Sequence, residues 1–79
     1  MRYVQYRVVQ QPGAPPNESW IVLTAGGVLA RFASPEPACA AAKSLAILDC
    51  VSGRPAEVVF CPVGGDPRIY WSCPAEAEA

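Results

Sequence analysis

Apolar and polar residues alternate at the start of the chain. Val4, Tyr6 and Val8 fall on one face of an extended segment over residues 2–10, with Tyr3, Gln5, Arg7 and Val9 on the other, the period of two that marks a half-buried strand. Three prolines between Gln11 and Asn17 remove ladder donors and fix φ, so a loop follows. Ser19–Thr24 contains the run Trp20-Ile21-Val22-Leu23, β-branched and aromatic as a second strand requires. Gly26-Gly27 supplies a hairpin turn, because glycine takes positive φ without steric cost. A short third strand is then expected over Val28–Phe32, with Val28, Ala30 and Phe32 on one side.

The period changes after Phe32. Ser34 is placed to accept from an orphan N–H as N-cap, Pro35 sits at a first helical position that needs no donor, and Glu36 meets the positive end of the helix dipole. Ala38, Ala41, Ala42, Leu45 and Leu48 recur at three- and four-residue spacing and form one apolar stripe. With Gly53 as the stop and Pro55 beyond it, a helix is expected over 35–51. Ala56–Cys61 and Arg68–Cys73 read as two further strands, joined by a turn at Gly64-Gly65-Asp66-Pro67. In the last strand, Ile69, Trp71 and Cys73 alternate with Arg68, Tyr70 and Ser72.

The expected fold is therefore α+β, a two-layer β-β-β-α-β-β domain over residues 1–73, with a mostly antiparallel sheet and one helix packed on one face. Residues 74–79 are expected to form a flexible acidic tail. One helix cannot cover both faces of five strands, so the second face meets solvent or a partner. If Trp20 and Val22 point to the helix, Ile21 and Leu23 point away from it, with Tyr3, Val9 and Leu29.

Composition narrows the function. The chain has 79 residues, a net charge of −1 and no histidine, with 52% hydrophobic residues and a mean hydropathy of +0.19. It is too apolar for a disordered tail and not basic enough for a strongly electrostatic nucleic-acid binder. Histidine-based acid–base catalysis and imidazole metal sites are excluded. The serines have no histidine to activate them, and neither Gly-Gly pair opens a helix that would cradle a phosphate. Asp49 and Glu57 are the carboxylates near apolar segments, and Asp49 is expected to be solvated. Asn17-Glu18-Ser19 matches a glycosylation pattern but is read as chance. No signal peptide is read at Met1-Arg2-Tyr3, and the longest uncharged run, Ser19–Ala30, is too short to span a bilayer. A soluble cytoplasmic chain with no membrane association is expected.

Cys39, Cys50, Cys61 and Cys73 are well separated, whereas an all-cysteine zinc site usually brings its ligands as close pairs. Free thiols that pack as small hydrophobes are expected, with a disulfide framework as the first alternative. Lys43, on the flank that holds Cys39 and Cys50, could lower a thiol pKa there, but it is read as a surface charge beside a small residue.

Ser19-Trp20-Ile21-Val22, Phe32–Ala38, Ala41–Ala46 and Val58-Val59-Phe60 leading to Gly65-Asp66 resemble a family of small bacterial proteins of unknown function. Its pattern is an opening strand, a Gly-Trp-x-Val strand, an Ala-rich helix and a closing hairpin. Ser19 stands where that pattern has Gly, and Glu36 comes one residue early. The family implies a fold but no activity. Phe32-Ala33-Ser34-Pro35-Glu36 also resembles the helix entry of phage integrase arm-binding domains, which implies a DNA-binding sheet. Such sheets carry several Arg and Lys, whereas residues 19–32 hold only Arg31.

The function expected is an interaction and self-association module without a catalytic centre, cofactor or metal. It is expected to be a homodimer through the sheet, with Tyr3, Ile21, Leu23, Leu29 and Tyr70 at the interface. The remaining helix surface (Ala40, Lys43, Ser44) is expected to offer no large anchor. The alternative is a nucleic-acid-binding accessory domain that uses the open sheet face.

Overall fold

A computed structural model describes residues 4–73. Strands β1 (Val4–Gln10), β2 (Trp20–Thr24) and β3 (Gly27–Phe32) precede helix α1 (Pro35–Val51), and β4 (Ala56–Phe60) and β5 (Arg68–Cys73) follow it. The order across the sheet is β3-β2-β1-β4-β5. The expected α+β architecture is present, and the helix spans the expected residues. The 11–17 loop ends in a 3-10 turn at Pro16–Glu18.

The sheet is mixed, not mostly antiparallel as expected. β1 pairs antiparallel with β2 and β2 with β3, but β1 and β4 are parallel at the centre. The cause is the helical connection. β3 runs alongside β1 in direction, and α1 carries the chain back over the sheet before β4 begins, as in a parallel crossover. β4 therefore enters on the free side of β1 in the same direction, and β5 turns back against it.

The core lies between α1 and one face of the sheet. Tyr6 and Val8 of β1, Trp20 and Val22 of β2, and Ala56 and Val58 of β4 meet Ala38, Cys39, Ala42 and Ala46. The Trp20 and Phe60 rings stack with centroids 5.9 Å apart. Alanines at the contact let the helix approach the sheet closely, so the bulk is supplied from the strands.

Two details of α1 depart from expectation. Ser34 occupies the N-cap with extended backbone angles, but its side chain makes no capping hydrogen bond. The buried stripe is Ala38, Cys39, Ala42, Ala46 and Asp49. Leu45 only borders the core, and Leu48 is 63% exposed. The helix is rotated toward its Cys39–Asp49 flank because two bonds that periodicity does not encode hold it there. Tyr6 donates a hydrogen bond to Asp49, and Cys50 is covalently joined to Cys73. Rotation leaves Ile47, Leu48 and Val51 exposed, so the outer helix surface carries large apolar side chains that had not been expected.

Two strand pairings shift register. One shift lies opposite Val22/Leu23 and one opposite Val58/Val59. An extra residue in a ladder turns the following side chains to the other face. Val28 therefore pairs with Leu23, and Ile69 with Val59, on the side away from the helix. Ala30, Phe32 and Trp71 pair with the core residues Val22, Trp20 and Val58.

Candidate interaction face of the sheet

Residues paired directly across strands share a face, so the registers define what the uncovered side of the sheet displays. Arg7 of β1 pairs with Leu23 and with Val59, Leu23 with Val28, and Val59 with Ile69. These pairings make one transverse row, Val28–Leu23–Arg7–Val59–Ile69, that crosses all five strands. Arg7 alternates with the core residues Tyr6 and Val8, which places the row opposite α1. Arg7 at the centre and Val28 and Ile69 at the edges are exposed, while Leu23 and Val59 between them are half-buried.

Polar groups flank this row. On one side Gln5 pairs with Glu57 and Glu57 with Ser72, and Gln5 Nε2 donates to Glu57 Oε2 at 2.6 Å. On the other side Arg31 pairs with Ile21 and Ile21 with Val9, while Arg31 Nη1 donates to Gln11 Oε1 at 3.0 Å. That bond joins β3 to the end of β1 across β2. A cleft of about 430 Å³ opens beside the row, lined by Val4, Gln5, Arg7, Leu23, Thr24, Ala25 and Gly26.

The expected interface residues that are described do not form one patch. Tyr3 lies outside the described residues. Leu23 is half-buried within the transverse row. Ile21 is on the expected face but only 4% exposed, so it supports the sheet from that side and offers little surface. Leu29, 51% exposed, sits in the β3 register shift. Tyr70, 50% exposed, is on β5 at the opposite edge. It lines a groove with Pro35, Glu36, Cys39 and Phe60 at the start of the helix, not the outer face. The register shift on β5 moved Ile69 into the row and left Tyr70 out of it. Val28 and Ile69 are the face residues that alternation alone misplaced, and Val59 was assigned to no face. A strict period of two carries no information about where a bulge will fall.

The helix side holds a buried polar cluster. The Tyr6 hydroxyl donates to Asp49 Oδ2, and Arg54 Nη2 donates to Asp49 Oδ1 at 3.0 Å. The main chain adds Arg54 N–H to the Asp49 carbonyl at 2.9 Å. Asp49 is buried, contrary to the expected solvated carboxylate. The Tyr6 hydrogen bond, more than Arg54, holds its carboxyl below the usual aspartate range against the opposing effect of burial. Burial first, and the Asp49 bond and charge next, push the Tyr6 phenol up to about 12. These shifts keep a neutral phenol beside a carboxylate, an arrangement that fixes the helix end to β1.

The cysteines divide into two kinds. Cys50 and Cys73 form a disulfide with Cα atoms 6.1 Å apart, which corrects the expectation of four free thiols. Sequence spacing did not single out this pair because the approach is tertiary: the end of β5 arrives beside the last turn of α1. Cys39 and Cys61 are free. Burial raises the Cys39 thiol, and Glu36 adds to the shift, which is opposite in direction to activation by Lys43. Among the described residues no group of three His, Cys, Asp or Glu is placed to hold a metal ion, and no helix is long and apolar enough to cross a membrane.

Comparison of the chain with protein families, with curated proteins and with solved structures found no match.

Proposed function

We propose that this chain is a self-association module in which two copies meet through the sheet face turned away from α1. The observation that carries the reading is the row Val28–Leu23–Arg7–Val59–Ile69, which runs unbroken across five strands and has no covering layer from the helix. Apolar side chains occupy four of its five positions. Arg7 is exposed and makes no ion pair among the described residues, and Glu57 stands two residues from Val59 on the neighbouring strand. An isologous two-fold arrangement is the simplest closed outcome, with the exposed Arg7 facing the partner's row while Glu57 stays buried and bonded to Gln5.

The size of the face bears on the kind of dimer. Five strands at ~4.8 Å spacing and about six residues at ~3.3 Å give a projected face of roughly 400 Å². A standard interface buries about 800 Å² per partner. A face below that size fits a reversible dimer better than an obligate one. The nucleic-acid alternative finds only Arg7 and Arg31 on this face among the described residues, and Arg31 is engaged by Gln11. Two phosphate contacts are too few for useful affinity at physiological salt. The likeness to the family of small bacterial proteins remains a proposal about descent and adds no activity. The cytoplasmic placement is likewise a proposal, and the Cys50–Cys73 bond weighs against it, since such bonds persist mainly in oxidising compartments.

Sedimentation velocity from about 5 to about 500 μM tests the reading, because a reversible dimer shows itself as a mass that rises with concentration. The wild type should shift toward the dimer mass, while Leu23→Lys and Arg7→Glu stay monomeric with unchanged circular dichroism. A wild-type chain monomeric throughout, or variants that dimerise as the wild type does, would refute it.

A further inference from the structure

β5 is held differently from the central strands. It is an edge strand, bonded only to β4. None of its residues is fully buried, and Arg68, Ile69 and Tyr70 are exposed, whereas β1, β2 and β4 each contribute buried residues to the core. β3 is also an edge without buried residues, but a tight turn joins it to β2. β5 follows a longer loop from Cys61 to Pro67. Besides its ladder with β4 and the packing of Trp71 against the core, it has a covalent tie: Cys73 at its end is joined to Cys50 in the last turn of α1. Both cysteines are half-buried, outside the fully buried core.

The helix end has a separate anchor. Asp49, next to Cys50, is fastened to β1 through Tyr6 and to the following turn through Arg54. Cutting the sulfur–sulfur bond leaves α1 anchored to β1 through Tyr6 and Asp49, while β5 loses its covalent tie. We infer that the Cys50–Cys73 disulfide is a redox-operated clasp on β5: oxidised, it holds the strand against the helix, and reduced, it lets β5 open while the rest of the domain stays folded. In reduction by a dithiol, the Cys50–Cys73 bond takes two electrons and each sulfur takes a proton. The dithiol loses both electrons and both protons and closes its own sulfur–sulfur bond. Opening of β5 uncovers the edge of β4, where Val58, Val59 and Phe60 accompany a single charge, Glu57. An edge so lightly charged accepts another strand readily.

This inference does not depend on the sheet-face dimer and is tested apart from it. Hydrogen exchange of the full chain is followed by mass spectrometry, oxidised and then reduced with dithiothreitol, at a low micromolar concentration. Removing a cross-link that closes a loop of about twenty residues changes an opening equilibrium by about a hundredfold. Amides of Arg68–Cys73 should exchange about a hundred times faster on reduction, while those of β1 and β2 change by less than about threefold. The Cys50→Ser/Cys73→Ser double variant should match the reduced chain whether or not dithiothreitol is present. Equal acceleration in every strand, unchanged exchange in β5, or four titratable thiols after equilibration with oxidised glutathione would each overturn the clasp.

Discussion

Replacing Tyr6 by Phe removes one oxygen from a buried position and leaves the ring in place. Tyr6 and Asp49 are both within a tenth of full burial, so the lost hydroxyl cannot be replaced freely by solvent. Asp49 keeps Arg54 but loses the donor that contributes most to its lowered pKa. A hydrogen bond to a charged group contributes about 1.5–3 kcal/mol, and the ring shape is conserved, so no cavity adds to the loss. With a urea m-value of about 1 kcal/mol/M for a domain this small, the unfolding midpoint should fall by about 2 M at pH 7.

The same substitution should change the pH dependence at both ends. The phenol of Tyr6 is raised in the folded state from 10 to about 12. Its contribution is therefore complete below pH 10 and declines as pH rises through the folded value. At about 1.4 kcal/mol per unit, two units correspond to about 2–3 kcal/mol. The Asp49 carboxyl is shifted the other way, so its contribution is present above the ordinary aspartate range and is lost as pH falls through the lowered folded value. Urea unfolding followed by the fluorescence of Trp20 and Trp71, from pH 3 to 12, measures both. Tyr6→Phe should flatten the alkaline decline and weaken the acid one. A variant with the wild-type midpoint at pH 7 and the wild-type alkaline slope would show that the Tyr6–Asp49 bond does not support the fold.

Other substitutions test the helix phase and the turns. Ala46 is fully buried and faces the strands, so Ala46→Leu should destabilise by about 1–3 kcal/mol through overpacking. Leu48→Lys on the exposed side should stay within about 0.5 kcal/mol, and equal effects from the two in urea unfolding would contradict the helix rotation. Gly53 has φ +90° at the end of α1, and a Cβ added there would meet nothing within 4 Å. Gly53→Ala should thus cost about 1–2 kcal/mol from backbone strain alone, read as a lower melting temperature. A neutral result would mean the turn can rearrange.

How much of this was legible in the residues differs by level. Local chemistry determined the elements: alternation at Val4, Tyr6 and Val8 marked β1, Ser34-Pro35-Glu36 opened the helix, and Gly53 with Pro55 closed it. Each depends on neighbours within a few positions, and each element formed within a residue or two of its expected bounds. The division of β2 into Trp20 and Val22 toward the helix and Ile21 and Leu23 away from it was equally readable, because no register shift interrupts that strand's own alternation.

The rest depended on which segments meet. β4 became parallel to β1 because the helix returned the chain over the sheet, and no residue in either strand encodes that direction by itself. Register shifts in β3 and β5 exchanged Val28 and Ile69 onto the outer face, where they complete a row with Leu23, Arg7 and Val59. Asp49 was buried because Tyr6, distant in sequence, arrived with a hydroxyl. Cys50 and Cys73 joined because a strand end and a helix end came within bonding distance. Periodicity records how often a chain segment is apolar; the partner that an exposed or charged position meets is set by long-range packing, and that is where the clasp and the candidate interface were decided.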